Sequence, residues 1–332
     1  MEKLRLLQID LTDECPLFCI HCSNSSGPSR RLAFPFANLK NLIIQARTLG
    51  VSNLVFSGGE PLRYSRLHDA LLCAQMNAVP TTLFTTGVAD PLSRLPISVT
   101  DWSSLAIAGL RTAAFSVYSS PEQRDIHNAI VRFRPQTGDA FEINERAIAS
   151  AHEAGVDVQV HYIPSTGSIG ALNDIHAWAE KLGCSVLHIQ MPTLQGRNEQ
   201  TKAVHVETED EALLAQKIRR LPEGSATAVH VSWFWRYRWD WLSPIEQENR
   251  NQLIVRADGT VSICNACKYL NGPLRRENIL TSERSLIDIW NDSAEVAKSH
   301  NCLEGRSHEK RTKEADGRRT GVHVMHANVP VS

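Results

Sequence analysis

Between Leu4 and Gln190 the chain switches repeatedly from short runs rich in β-branched and aromatic residues to longer helical patterns. This alternation restricts the fold more than any other feature. The candidate strands are Leu4–Asp10, Asn53–Phe56, Thr81–Thr85, Ala113–Tyr118, Asp157–Ile163 and Ser185–Gln190. Helical patterns lie between them at Phe36–Leu49, Leu62–Met76, Ala140–Ala154 and Ala171–Leu182, and Gly50, Gly155 and Gly183 supply helix stops. Strand–helix alternation predicts parallel strands joined by helical crossovers. Six such units predict an α/β fold, a partial (β/α)6 barrel, with ligands bound at the carboxyl ends of the strands.

Composition excludes several classes. The 332 residues are 42% hydrophobic, enough to bury a sizeable core, and the formal net charge is -1. That balance gives no footprint for nucleic acid or an anionic membrane. No apolar run approaches the roughly 18 residues of a membrane span, and the start lacks a signal-peptide core. A cytoplasmic protein is expected, with no nucleic-acid or membrane partner.

Eight cysteines in a reducing compartment are not a disulfide framework by default. Cys73 and Cys184 sit in apolar or helix-end contexts and read as structural. Cys15, Cys19 and Cys22 form a Cys-x-x-x-Cys-x-x-Cys loop just after the first strand. Three thiolates this close suit three irons of one [4Fe–4S] cube and leave the fourth iron open, whereas electron-transfer clusters use four cysteines. A zinc site, with His21 as a crowded fourth ligand, or unliganded thiols are the alternatives. Ser57-Gly58-Gly59-Glu60-Pro61 follows the second strand; consecutive glycines admit close backbone approach, and Glu60 brings a carboxylate to the strand end.

Together the cysteine loop and Gly58-Gly59-Glu60-Pro61 resemble the radical S-adenosylmethionine superfamily, over roughly residues 4–197. The resemblance implies a [4Fe–4S] cluster on Cys15, Cys19 and Cys22, with S-adenosylmethionine chelating the open iron. It implies that Ser57, Gly58, Gly59 and Glu60 hold the methionine amino group. His21 stands where the family has an aromatic whose backbone meets the adenine. Thr86 replaces the asparagine of the family's third-strand motif, and Ser116 matches its ribose-contacting position, with core packing as the alternative. Arg197 is a candidate for the carboxylate of cofactor or substrate. The implied reaction is reductive cleavage of S-adenosylmethionine to a 5′-deoxyadenosyl radical that abstracts a substrate hydrogen, with a flavodoxin- or ferredoxin-type electron donor.

After Gln190 the rhythm changes. Pro192–Val206 reads as a polar linker, Glu207–Leu221 as a helix, and Trp233–Trp241 is tryptophan-rich. Asp258-Gly259 between short apolar runs signals a hairpin. Cys264, Cys267 and Cys302, with the Leu286–Lys298 helix between, resemble a truncated SPASM/twitch extension that carries an auxiliary iron–sulfur cluster. Seven cysteines, enough for two further clusters, are not present. Zinc binding, redox activity or no metal are the alternatives, and Cys267 is the candidate hydrogen donor. The expected organisation is a core at 1–197, an extension at 198–304 and a disordered basic tail at 305–332.

Two substrate classes follow. Ser116-Val117-Tyr118 and the stretch through Arg124, His127 and Phe141 resemble peptide-modifying members, which implies maturation of a ribosomally synthesised peptide. The short extension, and the expectation of no leader-binding module ahead of Leu4, favour a small molecule, such as a sugar or aminoglycoside, epimerised or dehydrogenated in natural-product biosynthesis. A non-enzymatic iron–sulfur regulator would leave Gly58–Glu60 without a use.

Overall fold

The computed structural model describes residues 3–89, 96–132, 139–193, 195–232, 251–263 and 277–299. The elements run β1 (Leu6–Thr12), α1 (Phe36–Thr48), β2 (Asn53–Gly58), α2 (Leu67–Met76), β3 (Thr81–Thr85), α3 (Val99–Ile107), β4 (Leu110–Val117), α4 (Arg124–Val131) and α5 (Ala140–Glu153). Then follow β5 (Asp157–Tyr162), α6 (Leu172–Lys181), β6 (Val186–Ile189), α7 (Arg197–Thr201), α8 (Thr208–Arg219), β7 (Ala228–Val231), β8 (Gln252–Val255), β9 (Val261–Ser262) and α9 (Leu286–Ser299). They build one open sheet in the order β7-β6-β5-β4-β3-β2-β1-β8-β9. Every neighbouring pair is parallel except β8–β9.

The sheet's two faces differ because side chains alternate along each strand. Leu7, Ile9 and Leu11 of β1, and Val158, Val160 and Tyr162 of β5, pack into the core beneath the helices. Their neighbours Gln8, Asp10 and His161 face the other way. Parallel sheets covered on both faces read as continuous apolar runs. Here the second face is polar, so it lines a cavity rather than a second core.

The six expected strands are present, offset at their ends by up to three residues. The expected Leu62–Met76 helix begins only at Leu67. Pro61 opens a short 3-10 turn, and Tyr64 is extended so that its hydroxyl donates to the Phe34 carbonyl at 2.8 Å. The sheet does not stop at residue 197: β7 pairs with β6 and β8 pairs with β1. The Asp258-Gly259 hairpin forms between β8 and β9, with Gly259 at φ 85°. Helix α9 docks on α1, where Gln45 Oε1 accepts the Leu286 and Ile287 backbone N–H groups. Cys264, Cys267, Cys302, the Trp233–Trp241 run and the expected tail lie outside the described residues. Among the described residues no helix is long and apolar enough to cross a membrane.

Candidate active site

The polar face opens onto a cavity of about 710 Å³, within the roughly 300–1,000 Å³ of small-molecule sites. Cys15, Cys19 and Cys22 line one end of it, on the loop that follows β1. The loop has almost no secondary structure of its own and is held from outside. Phe18 N and Ile20 N donate to the Val131 and Ile130 carbonyls at the end of α4. Cys15, Leu17 and Cys19 join Tyr118, Ile130 and Val131 in a small separate apolar cluster. Asn24 Nδ2 reaches Asp10 Oδ2 at 3.0 Å and the Gly58 carbonyl at 3.1 Å.

Burial, with the neighbouring thiols adding to it, pushes Cys15 well above the ordinary thiol range and Cys19 up to about 12. Without a cation the two thiols therefore stay protonated, and metal binding would have to displace their protons. Among the described residues no three His, Cys, Asp or Glu side chains converge as the ligands of one metal ion would. The three thiolates of a cube each bind a different iron and need no common point.

The two glycines are required by the cysteine loop itself. Gly59 N donates to the Thr12 carbonyl at 2.6 Å and Glu60 N to the Glu14 carbonyl at 2.8 Å. A Cβ on Gly58 would sit 2.3 Å from the Thr12 oxygen, and one on Gly59 2.2 Å from the Glu14 oxygen. Both glycines, with Ser57, also line the cavity.

The Glu60 carboxylate is fully buried and is turned away from the cavity lining. It accepts from Thr85 Oγ1 at 2.7 Å, Thr86 N at 2.8 Å, Thr86 Oγ1 at 2.6 Å and Leu62 N at 3.2 Å. Burial raises its pKa, and these donors counteract the rise. Glu60 thus ties the end of β3 to the glycine turn. Thr86 keeps a place in the cavity wall, and Asn144 Nδ2 holds its carbonyl at 2.9 Å.

Arg197 is likewise occupied. Its Nε donates to the Cys19 carbonyl and its Nη2 to the Ser26 carbonyl, both at 2.7 Å, and its guanidinium lies 4.1 Å from the Phe18 ring centre. It clamps the cysteine loop, a role its charge and fork suit. Gly196 makes this approach feasible: its φ is 57°, and a Cβ there would meet the Cys22 oxygen at 2.5 Å. The sequence carried no sign of that contact, because the two segments are more than 170 residues apart.

His21 lines the cavity, edge-on to Tyr118 with ring centres 4.7 Å apart, and burial lowers its pKa to about 4. Ser116 lines the same wall. His127 does not reach the cavity: it is buried between Tyr118 and Phe141, and burial lowers its pKa to about 3. Arg124 pairs with Asp139 at 3.3 Å. Residues absent from the sequence expectations are His161 and His188, which line the cavity on β5 and β6.

Residues 9–169 match the family profile described as Radical SAM superfamily. The chain is similar to a PqqA peptide cyclase of Streptomyces rochei, 41% identical over 81 residues that make up 24% of this chain and 22% of that protein. It is similar to a PqqA peptide cyclase of Xanthomonas campestris pv. campestris (strain 8004), 24% identical over 298 residues, 87% of this chain and 74% of the relative. Its fold resembles Streptococcus suis SuiB bound to precursor peptide SuiA, with TM-score 0.65, 16% identity and coverage of 87% of this chain and 65% of SuiB. The chain thus spans less than two thirds of SuiB and about a fifth of the Streptomyces relative. Residues 9–169 of the chain thus carry a domain of the Radical SAM superfamily.

Proposed function

We propose that the chain is a radical SAM enzyme that matures a ribosomally synthesised peptide. The observation that carries the chemistry is the arrangement of three thiols and a glycine turn at one end of a single polar cavity. A domain of this superfamily implies a [4Fe–4S] cluster and S-adenosylmethionine, and the residues fit both. Soft thiols at three positions suit iron, and the lining beside them, Gly58, Gly59, Thr86 and Ser116, offers close-approach backbone and hydroxyl groups.

When bound, the reduced cluster supplies one electron to S-adenosylmethionine, releasing methionine and a 5′-deoxyadenosyl radical that removes hydrogen from an unactivated carbon. The protein's own groups arrange that event. Cys15, Cys19 and Cys22 would hold the cluster. Ser57, Gly58 and Gly59 meet the methionine end, while Glu60 acts through Thr85 and Thr86 by fixing the turn. His21 backbone borders the adenine and Ser116 the ribose. Arg197 keeps the cysteine loop closed. A flavodoxin- or ferredoxin-class donor supplies the electron.

The extension at 198–304 completes the reading. Cys264, Cys267 and Cys302 hold one auxiliary iron–sulfur cluster, or Cys267 serves as hydrogen donor. Support for the extension as a unit joined to the core comes from the β8–β9 hairpin, which pairs with β1 through β8. Support for a peptide substrate comes from the relatives' names and from SuiB, whose structure holds a precursor peptide.

Deuterium transfer tests the substrate class. The reduced holoenzyme should form 5′-deoxyadenosine carrying deuterium when given a perdeuterated short peptide encoded beside its gene. Mass spectrometry reads the label. Transfer from a sugar or aminoglycoside, and none from the peptide, would overturn the peptide reading while leaving the radical chemistry intact.

A further inference from the structure

The polar face of the sheet carries one feature to which the proposed function assigns no role. His161, His188 and His230 occupy the same level on three adjacent parallel strands: His161 pairs in register with His188, and His188 with His230. Their ring centres are 5.0 Å and 6.3 Å apart. The edge of Phe84 closes the row on the β3 side, 4.8 Å from His161. His161 and His188 line the cavity.

Three titratable rings stacked at strand spacing do not help a sheet fold, since each disfavours the charging of the next. Their side chains do not converge on a point, so they are not a metal site among the described residues. The cavity's charge pattern suggests another use. Among the described residues its lining contains no Asp or Glu; its permanent charges are Arg111, at the foot of β4, and Arg197. The other titratable groups in the lining are the three cysteines, His21 and Tyr118, all at the cluster end. Asp10, the carboxylate of β1 on the same face, is buried and accepts from Gln8 and Asn24 beside the cysteine loop, so on the β5–β6 side the imidazoles are the adjustable charge.

The hydrogen bonding points the same way. Gln190 Nε2 lies 2.7 Å from His161 Nδ1. An amide N–H can only donate, so Nδ1 accepts and the neutral ring keeps its proton on Nε2. That nitrogen is then a donor for an oxygen ligand.

We propose that the histidine row of β5, β6 and β7 is the seat for a carboxylate side chain of the substrate. The proposal rests on the peptide reading and adds the class of residue bound: an aspartate or glutamate. In the free protein, burial and then the neighbouring imidazoles hold His161 well below the ordinary histidine range, and His188 at about 4. His161 and His188 are therefore neutral at pH 7. With His161 a neutral donor, a carboxylate bound against His188 favours the His188 imidazolium and raises that pKa, so binding takes up a proton. The sign follows: the ligand binds the protonated row better, and affinity rises as pH falls. For uptake of one proton the change approaches about tenfold per pH unit in the window between the free and the bound pKa, and vanishes outside it.

The test uses the reconstituted holoenzyme and two small probes, N-acetylglutamate N-methylamide and its glutamine counterpart, in calorimetric titrations at pH 6 and pH 8. The glutamate probe should bind more tightly at pH 6 than at pH 8, and about tenfold or more tighter than the glutamine probe at pH 6. His188→Asn and His161→Asn should each remove that preference and flatten the pH dependence. Iron content reports that each variant has folded, and because His188 is only half-buried its variant is the safer of the two. Equal binding of the two probes, pH-independent binding, no binding, or unchanged preference in both folded variants would overturn the proposal. The deuterium-transfer experiment does not involve these probes, so failure of the peptide reading is separately visible.

Discussion

A Gly58→Ala protein should lose its iron and much of its stability together. Gly58 ends β2 at φ 125°, a region that costs an L-residue about 1–3 kcal/mol. The added Cβ would also sit 2.3 Å from the Thr12 oxygen, 3.2 Å from Thr12 N and 3.3 Å from Leu11 N. All three are backbone atoms of β1, and they cannot move without breaking the Thr12–Gly58 register. Overpacking of this kind adds about 1–3 kcal/mol. Against a typical total of about 5–15 kcal/mol, the combined loss is severe. It is also local to the site, because Asn24 of the cysteine loop bonds the Gly58 carbonyl. Urea denaturation should show a clearly lowered midpoint, and iron analysis should show cluster loss. A variant with wild-type midpoint and iron would contradict the packing described here.

Glu60→Ala should have the second large effect, and its signature separates two roles. The carboxylate accepts four hydrogen bonds in a fully buried position. Removing it strands the Thr85 and Thr86 donors, each worth about 1–3 kcal/mol when left unsatisfied. A destabilisation of about 3–5 kcal/mol is expected. Affinity for S-adenosylmethionine should fall as well, because Thr86 lines the cavity and loses its anchor. Denaturation and equilibrium binding read the two losses. Full stability with lost affinity would show that the carboxylate reaches the ligand directly and does not serve as a clamp.

Much of this architecture was legible in the sequence because it is local. Thr81–Thr85 is a strand in both readings, and the glycine stops after α1, α5 and α6 fall where expected. Helix α3 was missed although its capping box is plain: Ser98 Oγ accepts from Asp101 N while Asp101 accepts from Ser98 N. Strands β7 and β8 were harder. Each is four residues long, and β8 finds its partner β1 more than 240 residues away, so no local pattern could announce the pairing. The same limit applies to the site. The spacing of Cys15, Cys19 and Cys22 marks it directly. Arg197 and Gly196 were visible as residues, but the loop carbonyls they meet belong to tertiary structure. The Glu60 motif was recognised while the direction of its carboxylate was not, since that depends on the two threonines at the end of β3. The histidine row escaped notice because its members are spread over 70 residues and meet only through strand register.

The most direct test of the central claim is anaerobic reconstitution with iron and sulfide, followed by reduction in the presence of S-adenosylmethionine. The wild-type chain and the Cys15→Ala/Cys19→Ala/Cys22→Ala triple variant are compared. The wild type should show the broad charge-transfer absorption of an iron–sulfur protein and form 5′-deoxyadenosine. The triple variant should form none and carry about four fewer irons per chain, the content of one cube. About four irons remaining in the variant would be those of the extension's auxiliary cluster. Turnover to 5′-deoxyadenosine by the triple variant would contradict the account.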